Sequence, residues 1–285
     1  MTDETAQRRF ARFTWSDRLE HWIQVIAFTG LAITGLIQMW SESPVPRAII
    51  SGVGGINTTR FVHRSFSIVV LIAMAYHLGT AGYRFFVERI GKQMLPNSGD
   101  VRAAAHSFSY NLGFRRDRAL EGKFTFSEKA EYWSIIWCTV LMAVTGLMMW
   151  NPIATTKFLP GEIIPAAKAA HGGEAILAVL AILVWHMYFV HIRRFNPSIF
   201  TGYLNEEEMS DEHPLQLAAI ESGEDTITIP PEVLRRRRRV FFPAYAAIVL
   251  LGAAFILVFL TYQEIAITTV VPPDNGVEIY TPYVP

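Results

Sequence analysis

At 285 residues, with 51% hydrophobic side chains and only 18% charged ones, the chain has a membrane composition rather than a soluble one. A formal net charge of zero removes any global attraction to nucleic acid, and a single cysteine, Cys138, excludes disulfides and Cys-ligated iron–sulfur clusters.

The chain opens on a polar, basic tail, residues 1–18, with no short apolar core and cleavage site. The first apolar segment is therefore expected to remain as a span. Five segments are long enough to cross a hydrocarbon core of about 30 Å: residues 19–40, 61–86, 132–150, 171–192 and 241–262. Ser16 or Asp17 is expected to cap the first. The predicted organisation is a tail over 1–18, a four-helix domain over 19–192, a connection over 193–240, a fifth helix over 241–262 and a second tail over 263–285. The arginine run at 235–239 directly precedes an apolar stretch, so it reads as a membrane-flanking anchor. The N-terminal tail, the second and fourth connections and Arg84 near the end of the second span carry 20 of the lysines and arginines, against 5 on the opposite side, Arg64 at the start of that span included. The positive-inside rule then puts the N-terminus in the cytoplasm and the C-terminus in the periplasm of a bacterial inner membrane. Trp15, Trp22, Trp40, Trp133 and Trp150 fall near span ends, as an aromatic belt does.

The sequence from Asp17, DRLEHWIQVIAFTGLAITGLIQMW, aligns without gaps with that from Glu128, EKAEYWSIIWCTVLMAVTGLMMW, and places His21 opposite Tyr132. The second and fourth spans correspond as well, since His77 precedes Arg84 by the same seven residues that separate His186 from Arg193. Two hairpins related by an axis along the membrane normal predict an all-α bundle of four helices, with the fifth outside the repeat.

Six of the eight histidines lie in or beside these spans: His21, His63, His77, His171, His186 and His191. Ionisable groups in a bilayer are costly and mark function. His63 and His77 are 14 residues apart, and His171 and His186 are 15 apart, so each pair climbs about 21 Å along one helix. Imidazoles at two depths on facing helices fit two haems, each held by two neutral histidines. A zinc site would gather its ligands at one depth, and a proton relay would recruit buried carboxylates, of which Glu174 alone is at hand. Without a CxxCH motif the haems are b-type. His63 with His171 is the expected outer pair. The inner haem takes His186, with His77 favoured by the repeat and His21 left open. Arg60, Arg64 and Lys168 on the outer side, and Arg18, Arg84 and Arg193 on the inner, are candidates for haem propionates. Plain anchoring and snorkelling is the more ordinary role for each.

The segments RLEHW…TGL, RFVH, GKFTFSEKAEYWS…TGLMMW and AAHGGEAILAVLAILVWHMY resemble the cytochrome b (gamma) subunit of membrane-bound formate dehydrogenases and hydrogenases. The segment VHIRRFNPSIFTGYLNEEEMSDEHPL looks more like the branch associated with multihaem cytochromes c. The resemblance covers roughly residues 10–215. It implies two b haems, the outer on His63 and His171 and the inner on His21 and His186. His77 has no counterpart in the formate dehydrogenase subunit. Where the family's quinone loop has Asn and Gly, this chain has Thr125 and Ser127. The resemblance implies a subunit of a hetero-oligomeric complex. Electrons would pass between a periplasmic iron–sulfur or multihaem cytochrome c partner and the quinone pool. Quinone would lie near Thr125, Ser127, Lys129 and Tyr132. The chain carries no substrate-oxidising chemistry of its own. The competing reading is a membrane anchor of a peripheral enzyme without electron transfer. The C-terminal segment, apolar yet rich in proline, is expected to be an extended strap on a periplasmic partner.

Overall fold

A computed structural model describes residues 8–117, 119–192, 195–224 and 228–263. All five predicted spans are helical: α1 is Trp15–Met39, α2 is Ile56–Gly82, α3 is Phe126–Trp150, α4 is Ile163–Leu180 and α5 is Pro231–Thr261. Each is long and apolar enough to cross a membrane once the continuations of α2 and α4 are counted. Large apolar side chains such as Ile72, Leu183 and Leu251 stand on the outside of the bundle, where lipid is their solvent.

The repeat is visible in how the helices begin. Thr14 caps α1, its hydroxyl accepting from the Asp17 amide while the Asp17 carboxylate accepts from the Thr14 amide. Thr125 and Glu128 form the same capping box on α3, 111 positions later. The first cap is thus Thr14 rather than Ser16 or Asp17, and Asp17 is its reciprocal partner. α1 packs chiefly on α2, and α3 chiefly on α4, with further contact between α1 and α4. These are the two hairpins of the repeat.

The π-helical stretches were not foreseen. α2 continues as a π-helix over Tyr83–Glu88, and α4 over Ala181–Ile192. The second bears directly on the histidine spacing. His63 and His171 differ by 108 positions, His77 and His186 by 109. A π-turn holds more residues than an α-turn and so rotates each by about 80° instead of about 100°. Five such steps before His186 remove about 100° of rotation. The surplus residue is absorbed, and His186 keeps the face that a 14-residue spacing would give it.

At the end of the bundle that carries the N-terminus, a small cap closes the helices. Strand β1 (Arg9–Ala11) pairs antiparallel with β2 (Tyr203–Asn205), Phe10 opposite Leu204. Phe10, Leu204 and Met209 form a buried cluster, with Leu217 and Ile220 against it. The Arg12 side chain is 4% exposed and pairs with Glu128 at 2.7 Å. It also lies over the Phe124 ring at 5.1 Å. This cap joins the start of α1 to the connection before α3 and to the chain leaving α4.

α5 stands outside the repeat, against α2 and its π-helical extension. The Tyr245 hydroxyl donates to the Ala75 carbonyl at 2.7 Å, and Arg238 donates to the Tyr83 hydroxyl at 2.6 Å. At the far end, the Asn151 amide donates to the carbonyls of Phe259 and Tyr262. Arg193 and residues 264–285, which include most of the expected strap, lie outside the described residues.

Candidate functional site

Two imidazole pairs face each other inside the bundle. The rings of His63 on α2 and His171 on α4 have centroids 6.4 Å apart and planes at 69°. The rings of His21 on α1 and His186 in the π-helical part of α4 lie 6.3 Å apart at 35°. Fifteen residues of one helix separate the levels, a climb of about 20 Å. Two metal–imidazole bonds of about 2 Å, with half a ring beyond each, span about 6 Å. Each pair is therefore spaced to hold one ion between its rings. Among the described residues no group of three or more His, Cys, Asp or Glu side chains could hold a metal. An iron whose other four ligands come from a macrocycle needs only two.

Proton counting assigns the tautomers at the far pair. The Thr34 hydroxyl donates its one proton to the Gly30 carbonyl at 2.6 Å, so it accepts from His63 Nδ1 at 2.8 Å. Thr145 repeats this, donating to the Leu141 carbonyl at 2.7 Å and accepting from His171 Nδ1 at 2.9 Å. With the proton on Nδ1, each Nε2 keeps a free lone pair, the form that binds metal. The next residue of the repeat makes room. A Cβ on Gly35 would lie 3.3 Å from His63 Cε1, and one on Gly146 would lie 3.3 Å from His171 Cε1. Thr-Gly-Leu is visible in the sequence as a repeat landmark, but its role appears only when the partner helix is in place.

The pair near the N-terminus is held differently. His186 Nδ1 bonds to the Glu131 carboxylate. His21 Nδ1 is buried without a hydrogen-bond partner among the described residues. The His191 ring sits 5.8 Å from that of His186. The duplicate of this arrangement is also present, with its chemistry changed. Glu20, equivalent to Glu131, bonds His77 Nδ1 at 2.8 Å, and Tyr132, equivalent to His21, bonds His77 Nε2 at 2.9 Å. Both His77 nitrogens are thus engaged, and the hydroxyl stands where a second imidazole would be. Geometry brings His186 to His21 and leaves His77 in a separate hydrogen-bonded triad.

The four residues expected near quinone do not converge. Thr125 is the α3 cap, and Tyr132 is on His77. Lys129, 9% exposed, forms an ion pair with Asp100 at 2.7 Å. Burial opposes the Asp100 charge, but the Lys129 ammonium and the Asn97 amide together outweigh it and hold the carboxyl below its usual range. Lys129 and Asp100 line a cleft of about 440 Å³ with Glu121, Phe124, Leu215 and Gln216. Ser127 and Tyr132 do not line it. Burial raises the Glu121 carboxyl above its usual range, although the Phe126 amide donates to it. Of the arginines, Arg84 pairs with Asp17 at 2.6 Å and Arg18 donates to the carbonyls of Ile199 and Phe200. Arg64 lies over the Trp150 ring at 4.8 Å, beside a cleft of about 410 Å³ that Arg60 also lines.

The comparisons with known proteins agree with one another. The chain is 22% identical over 218 residues to the cytochrome b556(Fdn) subunit of the nitrate-inducible formate dehydrogenase of Escherichia coli K12. That match covers 76% of this chain and 94% of the relative. It is 23% identical over 208 residues to the formate dehydrogenase cytochrome b556 subunit of Haemophilus influenzae, covering 72% and 81% of the two chains. The family model for prokaryotic cytochrome b561 matches residues 12–202, a stretch that contains all four helices of the repeat and every histidine of the facing pairs. The chain belongs to the prokaryotic cytochrome b561 family and is a multi-pass membrane cytochrome b of the formate dehydrogenase type.

Proposed function

We propose that the chain carries electrons across the inner membrane through two b haems. His63 and His171 would hold one, and His21 and His186 the other. The observation that carries this reading is the spacing of the two pairs, 6.4 and 6.3 Å between ring centres, at two levels of one bundle. Bis-histidine b haem supplies reversible one-electron transfer. The chain's own residues orient the ligands: Thr34 and Thr145 fix the far imidazoles, Glu131 fixes His186, and Gly35 and Gly146 leave the rings their space. By the charge asymmetry, the His63–His171 site faces the periplasm and the His21–His186 site the cytoplasm. A periplasmic iron–sulfur or multihaem cytochrome c subunit exchanges electrons with the first, and a membrane quinone with the second. The cleft that holds Lys129 and Asp100 opens beside the inner level and is the quinone-side candidate. The relatives' names, which place them in formate dehydrogenases, support a hetero-oligomeric complex of this kind.

The test is a reduced-minus-oxidised visible spectrum of the purified complex, with haem released and quantified. Two b haems per chain are expected. A complex with no b-haem absorbance, or with one haem, is incompatible with this reading. Gly146→Leu is expected to remove the outer haem selectively. Its side chain would enter the space of the His171 ring, already 3.3 Å from a Cβ at that position. Full haem content in that variant would mean the ring has another place to go.

A further inference from the structure

The two imidazole pairs have unlike hydrogen-bond partners, and the difference has a sign. At the outer pair each Nδ1–H meets a neutral hydroxyl, Thr34 at 2.8 Å and Thr145 at 2.9 Å. Each hydroxyl is itself spent on a backbone carbonyl. At the inner pair His186 Nδ1 meets the Glu131 carboxylate, and His21 Nδ1 has no hydrogen-bond partner among the described residues. A carboxylate acceptor pulls the proton from the imidazole more strongly than a hydroxyl does, so the ring donates more electron density to its iron. More donation, with a negative charge close by, favours the oxidised ion and lowers its potential.

The remaining charges are mixed. Next in sequence to His63 is Arg64, with Arg60 one turn from it, and neither guanidinium has a carboxylate partner among the described residues. Positive charge beside the outer pair favours the reduced ion. Glu174, one turn along from His171, interacts with the Cys138 thiol and places a carboxylate at the same level, opposing that positive charge. At the inner level Asp17 and Arg84 cancel at 2.6 Å, Arg18 is held by backbone carbonyls, and Glu20 is bonded to His77. Glu131 is then the carboxylate bonded to a facing imidazole.

We propose that Glu131, with Thr34 and Thr145, is a positioning residue that sets unequal reduction potentials, the His21–His186 haem lying below the His63–His171 haem. This rests on the two-haem reading above and adds an order of potentials to it. An electron shared by two such haems would rest by preference on the His63–His171 side.

The experiment is a spectroelectrochemical titration of the intact complex, resolving two b-haem components. Glu131→Gln keeps the size of the side chain and removes its charge. Both haems should remain, and the lower component alone should move to higher potential. No shift, or a shift of the upper component, overturns the proposal. Thr34→Val and Thr145→Val should raise the upper component and leave the lower unmoved, with Thr→Ser at each position restoring it. Should Glu131→Gln lose its haem, His21→Ala decides: the surviving component must be the upper one, and survival of the lower one overturns the order. Absence of both components from the wild-type complex overturns this proposal together with the reading beneath it.

Discussion

His171→Ala is expected to halve the haem content and to leave the inner haem's low-spin spectrum in place. The two levels share α4, but about 20 Å of helix separates them. Removing one imidazole therefore acts on one site. The loss should be nearly complete rather than partial. Among the described residues the outer site offers no second imidazole nearby, and the Thr145 hydroxyl that loses its partner is a far weaker iron ligand than an imidazole. His63→Ala should give the same phenotype, since each haem depends on both of its ligands. Haem extraction and the visible spectrum of each purified variant are the measurements. A variant of either residue that keeps full haem content and an unchanged spectrum would falsify the pairing of His63 with His171.

Much of the fold is written in hydropathy and charge. The five spans follow from apolar runs of sufficient length, and the repeat follows from two gapless copies of one segment. Both kinds of signal are local or periodic, so they survive without a partner helix. What depends on a neighbour does not. Thr-Gly-Leu can be read as a repeated motif, but not as a hydroxyl acceptor beside a space for an imidazole, because His63 and His171 arrive from other helices. The π-helix over Ala181–Ile192 has no composition of its own. Its one trace in the sequence is the surplus residue between His171 and His186, which pure α-geometry would convert into a rotation of about 100°. The cap of β1 and β2 is built from three-residue strands, too short to show alternation.

The choice between His21 and His77 illustrates the same limit. Both lie at one level of the bundle, since Glu20 beside His21 bonds His77, and helical periodicity tells which face of its own helix each occupies. It does not tell which neighbour that face meets. Symmetry favours His77, because it is the true repeat of His186. The decisive residue is the one where the repeat breaks: Tyr132 stands at the position of His21. A phenol opposite His77 closes that site with a hydrogen bond, while an imidazole opposite His186 leaves a gap of metal-binding width.

Comparison of two variants turns this into the second large effect. His21→Ala should lose the inner haem and halve the content, leaving the outer spectrum intact. His77→Ala should keep both haems. Its cost appears in stability instead, since Glu20 and Tyr132 lose their shared partner inside the bundle. An unsatisfied buried polar group costs about 1–3 kcal/mol, so a lowered thermal midpoint with full haem content is the expected signature. The opposite pattern, haem lost in His77→Ala and kept in His21→Ala, would mean that the repeat and not the ring geometry is the better guide. Loss of haem in both variants would show that the triad supports the inner site from behind. The route would be Glu20, which precedes His21 in α1, and the triad would then be a second layer of the inner site rather than a separate one.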